Sequence, residues 1–343
     1  VADAADCPYD GGVSVGRELA LLSVVAPVYQ EEAAIERFCA EVEEALTGVP
    51  YELILVDDGS TDGTAAKLRL LAATDQRIKV VLLSRNFGHQ PALTAGLDHA
   101  RGNVAVTLDS DLQDPPSLIP KLLERWRAGA DVVYAVRRAR AGESRFKLRT
   151  ARLFYRLFRS LASVELEPNS GDYRLLDRQV LDALLSMRER SRFLRGMSIW
   201  VGFAQDSVAY DRNPRYAGET KFTLARMLRF SFDAIASFSY RPLQLATALG
   251  FLISIIAFVA IPVVIVLKLL GDYLYGFSTV EITILLLGGI QLITIGMIGE
   301  YVGRIFDEVK GRPLYLVRSR HNFDGGRPTS AYEQEAADFD AER

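Results

Sequence analysis

"VAVTLDSDLQDPP", from Val104 to Pro116, runs from a short apolar stretch straight into a cluster of carboxylates and is then stopped by two prolines. Asp109, Asp111, Gln113 and Asp114 fall within six consecutive positions. A buried strand that ends in so much negative charge offers hard oxygen ligands. Such a set suits a divalent cation that also binds phosphate oxygens. In an extended segment residues i and i+2 point the same way, so Asp109 and Asp111 are expected to share one edge of a sheet.

A lone D-x-D is also an ordinary solvated turn, and its neighbours decide between the two. Further apolar runs read "LLSVVAP" (21–27), "YELILVDDG" (51–59) and "IKVVLLS" (78–84). Helical patterns fill the gaps at 31–48, 62–75 and 90–102, with Ser60 or Thr61 as the expected N-cap of the second. Strands alternating with helices predict an α/β domain with a mostly parallel sheet. Ligands of such sheets bind beyond the carboxyl ends of the strands. Those ends carry Tyr29-Gln30-Glu31, Asp57-Asp58-Gly59-Ser60 and Asp109-Ser110-Asp111. No G-x-G-x-x-G follows the first strand and no G-x-x-x-x-G-K-[ST] occurs, so the common dinucleotide and P-loop readings lack their phosphate loops.

At 343 residues the chain has room for one large domain or two smaller ones, and its 49% hydrophobic content supplies a core. A net charge of −3 gives no global nucleic-acid signature. Cys7 and Cys39 fit neither a disulfide framework nor a zinc site, which favours a reducing compartment. Residues 1–18 read as a flexible tail without the pattern of a signal peptide. The core domain is expected at 19–218.

Two long apolar runs add a membrane. Leu243 to Leu267 carries no charge, and Ile282 to Ile298 extends back through Phe277 at the cost of Glu281. Two spans are expected, at 243–270 and 277–299, followed by a tail at 300–343. Arg226, Arg229 and Arg241 flank the first span, and Arg304, Lys310, Arg312, Arg318 and Arg320 follow the second. The connection holds Lys268, Asp272 and Glu281. By the positive-inside rule both termini are cytoplasmic and the protein is multi-pass in the cell membrane. Residues 143–163 pattern as a basic amphipathic helix that docks on a membrane surface, and 219–242 as an interfacial helix. Gly288, Gly289, Gly296 and Gly299 suggest a small-residue stripe, hence a homo-oligomer, with a homotetramer expected.

"VVAPVYQEE", "LILVDDGSTDGT", "SRNFGHQPALTAGLDHARG", "LDSDLQDPP", "NSGDYRLLDR" and "RNPRYAGETKF" stand in this order ahead of the two spans. Together they resemble the membrane-anchored polyprenyl-phosphate glycosyltransferases of glycosyltransferase family 2, over roughly residues 21 to 318. The resemblance implies a GT-A fold, Rossmann-like with a mostly parallel sheet, followed by a two-helix transmembrane hairpin. It also implies an inverting, metal-dependent transfer of a sugar from a nucleotide sugar to polyprenyl phosphate, with Mg2+ or Mn2+ as cofactor. Asp111 is implied as metal ligand with Asp109 beside it. Pro27, Tyr29, Glu31, Asp57, Asp58, Ser84 and Asp109 are implied at the nucleotide, and Gln113 and Asp114 toward the reacting sugar. Gln30 stands where the family usually has Asn, and Ser110 where Ala is common.

The acceptor phosphate needs cations beside this carboxylate-rich site. Candidates are Arg137, Arg138, Arg174, Arg212, Arg215 and Lys221, with Asp172 positioning Arg174 or the sugar. "NFGHQPALTAGLDHARG" and "DLQDPP" most resemble bacterial undecaprenyl-phosphate glucosyltransferases, and this resemblance implies UDP-glucose and undecaprenyl phosphate as substrates, with a GDP-mannose-dependent synthase as the alternative. A processive polysaccharide synthase lacks support, because "RFLRGMSIW" stands where such enzymes carry Q-x-x-R-W. A non-catalytic carrier or membrane scaffold would be expected to have lost the carboxylates, and all five of Asp57, Asp58, Asp109, Asp111 and Asp114 are present.

Overall fold

The computed structural model describes residues 17–138, 170–190, 192–211 and 277–323, with isolated positions between 247 and 270. The basic helix expected at 143–163, the interfacial helix at 219–242, Arg212, Arg215 and Lys221 lie outside the described residues, as do most of the first span and both chain ends.

The apolar runs form β1 (Leu22–Val28), β2 (Tyr51–Asp57), β3 (Ile78–Leu83) and β4 (Val104–Thr107). Between them lie α1 (Ile35–Ala45), α2 (Thr64–Thr74) and α3 (His89–Asp98). There follow a short 3-10 turn (Pro116–Leu118), α4 (Ile119–Arg127), β5 (Val132–Arg137) and β6 (Ser170–Asp177). Then come α5 (Arg178–Ser186), α6 (Leu194–Trp200), β7 (Gln205–Tyr210), the long helix α7 (Phe277–Val309) and β8 (Val317–His321). One sheet holds all eight strands in the order β7-β5-β6-β4-β1-β2-β3-β8. The β1–β2, β2–β3, β1–β4 and β5–β7 pairs are parallel, whereas β6 runs antiparallel to β4 and β5, and β8 antiparallel to β3.

Strand alternation sorts the core into two layers. Leu22, Val24 and Ala26 of β1 face a cluster with Ile35 and Phe38 of α1, Leu68 of α2 and Trp126 of α4. Val25, between them, faces the opposite layer with Ala92, Leu93 and Ala95 of α3, Leu181 of α5 and Met197 of α6. Helices therefore cover both faces, and the strand ends remain open at the carboxyl edge. Gly96 lets α3 lie close on that sheet, because a Cβ there would stand 2.3 Å from Val25 Cγ1.

Four differences from the sequence expectations have physical causes. First, β4 stops at Thr107, so Asp109 and Asp111 sit in a turn and not on an extended strand. Leu112 adopts φ 60° and the Gln113 amide donates to Asp111 Oδ1 at 3.1 Å, which closes the turn locally. Second, Ser60 and Thr61 do not cap α2. Their hydroxyls accept from the backbone and side chain of Gln30, and the N-cap is Gly63. Third, the segment expected as a tail supplies β8, which pairs with the edge of β3. Fourth, α7 continues past Gly299 to Val309. Its stretch Leu286–Val309 is, among the described residues, the helix long and apolar enough to cross a membrane. Leu292, Ile293, Ile295 and Phe306 on it are exposed.

Candidate active site

A cleft of about 390 Å³ opens at the carboxyl edge of β1, β2 and β4. Pro27, Tyr29, Glu31, Asp58, Asp109 and Asp111, all expected from sequence, line it. Asn86, Gly88 and His89 line it too and were not singled out from sequence.

Each wall is fixed by its own backbone. Asp58 accepts from the amides of Phe87 at 2.7 Å and Gly88 at 2.9 Å, binding the end of β2 to the loop that starts α3. Burial raises the pKa of Asp58, and these amide bonds offset only part of that rise. Gly59 permits the approach: with φ 71°, a Cβ there would stand 2.4 Å from the backbone of Arg85. The Glu31 amide donates to Thr64 Oγ1 at 3.1 Å, and Ser110 Oγ donates to Pro27 O at 2.9 Å, which fixes the D-x-D turn to β1. Tyr29, 44% exposed, presents an aromatic face at the mouth.

At the start of α3, His89 Nε2 lies 2.9 Å from Asp109 Oδ1, and His89 Nδ1 lies 3.8 Å from Asp172 Oδ2. Partial desolvation acts to lower the imidazole pKa of this 43% exposed side chain. The hydrogen bond to Asp109 and the charges of Asp109 and Asp172 outweigh it and raise the pKa to about 9. Gln90 ties the neighbouring elements together. Its Nε2 donates to Asp172 Oδ2 at 3.1 Å, and its Oε1 accepts from the Leu194 amide at 3.1 Å.

The remaining expected residues stand elsewhere. Asp57 is buried and accepts from the Ser60 amide, and burial pushes its pKa up. Ser84 is exposed past the end of β3, with its amide on Leu316 O, and does not line the cleft. Asp114 is buried behind the turn. It accepts from the Tyr210 hydroxyl and from Arg137 Nη2 at 3.2 Å, while Arg137 Nε donates to the Tyr210 oxygen at 3.0 Å. Arg138 pairs with Asp211 at 3.3 Å on the surface. Arg174 is only 3% exposed and does not reach the cleft. Its guanidinium donates to Gly171 O at 3.0 Å, Arg195 O at 3.3 Å and Ser198 Oγ, and burial lowers its pKa to about 10. Its two Nη atoms are thus held by internal acceptors, while Nε has no hydrogen-bond partner. Tyr210 and Arg195 escaped the sequence reading because only tertiary packing brings them to Asp114 and Asp172. His89 did have a signal, as part of the matched "NFGHQ" stretch.

The donor set fits a divalent cation of a particular kind. Among the described residues no group of three or more His, Cys, Asp or Glu side chains forms a complete metal cage. Mg2+ seldom uses one. It binds through one or two carboxylates, several waters and the phosphates of a substrate, which is what Asp109 and Asp111 beside an open cleft can provide.

An acid-lined cleft at the carboxyl edge of a doubly covered sheet marks an α/β enzyme domain that takes its ligand across the strand ends. Residues 23–185 match the model of the family described as glycosyl transferase family 2. The chain is 45% identical over 308 residues to the uncharacterized glycosyltransferase YkcC of Bacillus subtilis, covering 89% of this chain and 95% of that protein. It is 41% identical over 303 residues to the SfII prophage-derived bactoprenol glucosyl transferase of Shigella flexneri, covering 88% and 98%. A slighter likeness, TM-score 0.43 at 24% identity, links it to glucosyl-3-phosphoglycerate synthase from Mycobacterium tuberculosis solved with Mn2+, UDP and phosphoglyceric acid, over 61% of this chain and 74% of that one. The chain belongs to glycosyltransferase family 2.

Proposed function

We propose that this protein transfers glucose from UDP-glucose to polyprenyl phosphate at the cytosolic face of a membrane, with inversion at the anomeric carbon. The observation that carries the reading is the joint placement of Tyr29, Asp58, Asp109 and Asp111 around one cleft, in a chain so similar to a bactoprenol glucosyl transferase.

In this reading Tyr29 stacks on the base, and Asp58, held by two amides, accepts from the ribose or base. Asp109 and Asp111 would hold Mg2+ or Mn2+ at this edge. When bound, the cation would offset the charge that develops on the diphosphate leaving group. The His89 imidazole, 2.9 Å from Asp109 Oδ1, orients that carboxylate. The nucleophile is a lipid phosphate oxygen, already anionic, so the site needs to orient it more than to deprotonate it. The acceptor's tail stays in the bilayer, which α7 and the apolar run at 243–270 would span as a hairpin. A homotetramer remains the expected assembly.

The test is turnover by the full chain in liposomes against a panel of nucleotide sugars. UDP should be released only when UDP-glucose, undecaprenyl phosphate and Mg2+ or Mn2+ are all present. Release of UDP independent of the lipid would overturn the acceptor. Faster GDP release from GDP-mannose would overturn the donor.

A further inference from the structure

Across the open sheet edge the functional side chains follow strand order. Asp58 ends β2, Pro27 and Tyr29 end β1, Asp109 and Asp111 follow β4, and Asp172 lies on β6. A donor laid with its base at β1–β2 and its diphosphate at Asp109 and Asp111 therefore points its sugar toward β6. In an inverting displacement the nucleophile enters opposite the leaving group. The acceptor phosphate must then arrive on the β6 side, where Asp172 would repel it.

A cation stands there. Arg195, in the first turn of α6, places Nη2 3.6 Å from Asp172 Oδ1, too far for a hydrogen bond. Asp172 Oδ1 and Arg195 Nε are both buried atoms without a hydrogen-bond partner. The two side chains as wholes remain open, at 17% and 27% exposed. Buried polar atoms left unsatisfied are costly. Nε of Arg174 and of Arg192 lacks a hydrogen-bond partner as well, so what sets Arg195 apart is its place beside Asp172 on the β6 side of the open edge. The backbone of Arg195 is held with care. Its carbonyl accepts from the buried Arg174 at 3.3 Å and from Ser198 Oγ at 3.1 Å, and the preceding amide, of Leu194, donates to Gln90 at 3.1 Å. The fold fixes where the side chain starts and leaves its guanidinium incompletely bonded.

We propose that Arg195 is the ligand of the acceptor's phosphate, and that Arg174 is the strut that positions it. The inference rests on the reading of the protein as a polyprenyl-phosphate glycosyltransferase. On arrival the phosphate takes the open donors of Arg195 and is screened from Asp172. One of its oxygens forms a bond to the anomeric carbon as the bond from that carbon to the nucleoside diphosphate breaks, and the electron pair leaves on the diphosphate oxygen. The acceptor oxygen is already anionic, so no proton needs to move.

The experiment compares wild type, Arg195→Gln and Arg195→Lys, each as full chain in liposomes. Initial rates are measured against undecaprenyl phosphate and UDP-glucose separately, and UDP binding with Mg2+ is followed by thermal shift. Loss of one charged hydrogen-bonding partner should raise the KM for undecaprenyl phosphate roughly tenfold to a hundredfold in Arg195→Gln. The KM for UDP-glucose and the UDP shift should stay within about twofold, and Arg195→Lys should recover part of the loss. An unchanged lipid KM, or a donor KM that rises as much, overturns the assignment. So does a loss of the UDP shift in both variants, which would make Arg195 structural. If wild type itself ignores undecaprenyl phosphate, the functional reading has failed, and that result is distinct from the others.

Discussion

Gly96 on α3 is the point at which packing and the cleft are coupled. An alanine Cβ there would stand 2.3 Å from Val25 Cγ1 and 3.0 Å from Val56 Cγ2, against a normal carbon–carbon contact of about 3.5–4.0 Å. Val25 is fully buried in a central strand and has no room to retreat, so the helix must lift by about 1 Å to restore that contact distance. Overpacking of this kind costs about 1–3 kcal/mol, and the severity of the clash places Gly96→Ala near the upper end. Better helix propensity returns about 1 kcal/mol, leaving a net loss of roughly 2 kcal/mol. That corresponds to a fall in Tm of about 4–8 °C for a domain of this size. Val25→Ala alone should cost about 2 kcal/mol through lost methyl groups and the cavity they leave. The double variant should be little worse than Val25→Ala, because the space vacated is the space the new methyl needs. Activity adds a second readout. A lifted α3 carries His89 away from Asp109, now 2.9 Å apart, and a displacement of about 1 Å at a site costs up to a hundredfold in rate. The assay is thermal unfolding of the three variants in one detergent, with turnover at saturating substrates. Stability losses that add within about 0.5 kcal/mol in the double variant would refute the proposed contact.

Asp111→Asn should keep the fold and lose metal-dependent turnover by more than about tenfold at saturating Mg2+, since cation stabilisation is worth several kcal/mol; retention of the wild-type rate removes Asp111 from the metal. Tyr210→Phe deletes the hydroxyl that donates to buried Asp114 and should lower stability by about 1.5–3 kcal/mol in denaturant titration, with no loss if Arg137 alone satisfies that carboxylate. Tyr315→Phe removes a 2.7 Å bond to Asp98 at the far end of α3 and should make backbone exchange in 311–321 roughly tenfold faster, an effect of about 1.4 kcal/mol; unchanged exchange would show that Arg188 suffices. Cys39 has its thiol pKa pushed up to about 12 by burial and then by the charges of Asp75 and Glu36, so in a Cys7→Ser background it should resist thiol reagents at pH 8 until the domain unfolds.

What the sequence made legible was whatever a single segment encodes. β1, β2 and β3 are near-continuous apolar runs because central parallel strands are buried on both faces, and their bounds fall within a residue or two of the structure. β6 carries no clear strand signal, because "SGDYRLLD" mixes Asp and Arg into its apolar pattern, and the Arg is buried by its own bonds. β7 and β8 are the edges of the sheet and, apart from buried Tyr210 at the end of β7, hold only exposed and half-buried positions, so neither carries a strong signal. The cleft carboxylates were legible because each stands within four residues of the end of a strand. The roles of Asp114 and Arg174 were not, since burial and partners decide them. Asp114 faces Arg137 and Tyr210 from other strands, and Arg174 reaches α6.

The pairing of β8 with β3 also constrains the order of biosynthesis. β3 leaves the ribosome roughly 230 residues before its partner, a wait of about 10 to 50 seconds at ordinary elongation rates. Throughout that interval its outer edge is a bare row of peptide groups, open to any other strand. The chain that must arrive to cover it is delivered from the end of α7, a helix whose own exposed surface is apolar. A truncated gene that stops ahead of that helix would therefore yield an enzyme domain whose β3 edge is never covered, and its tendency to self-associate would come from the missing strand.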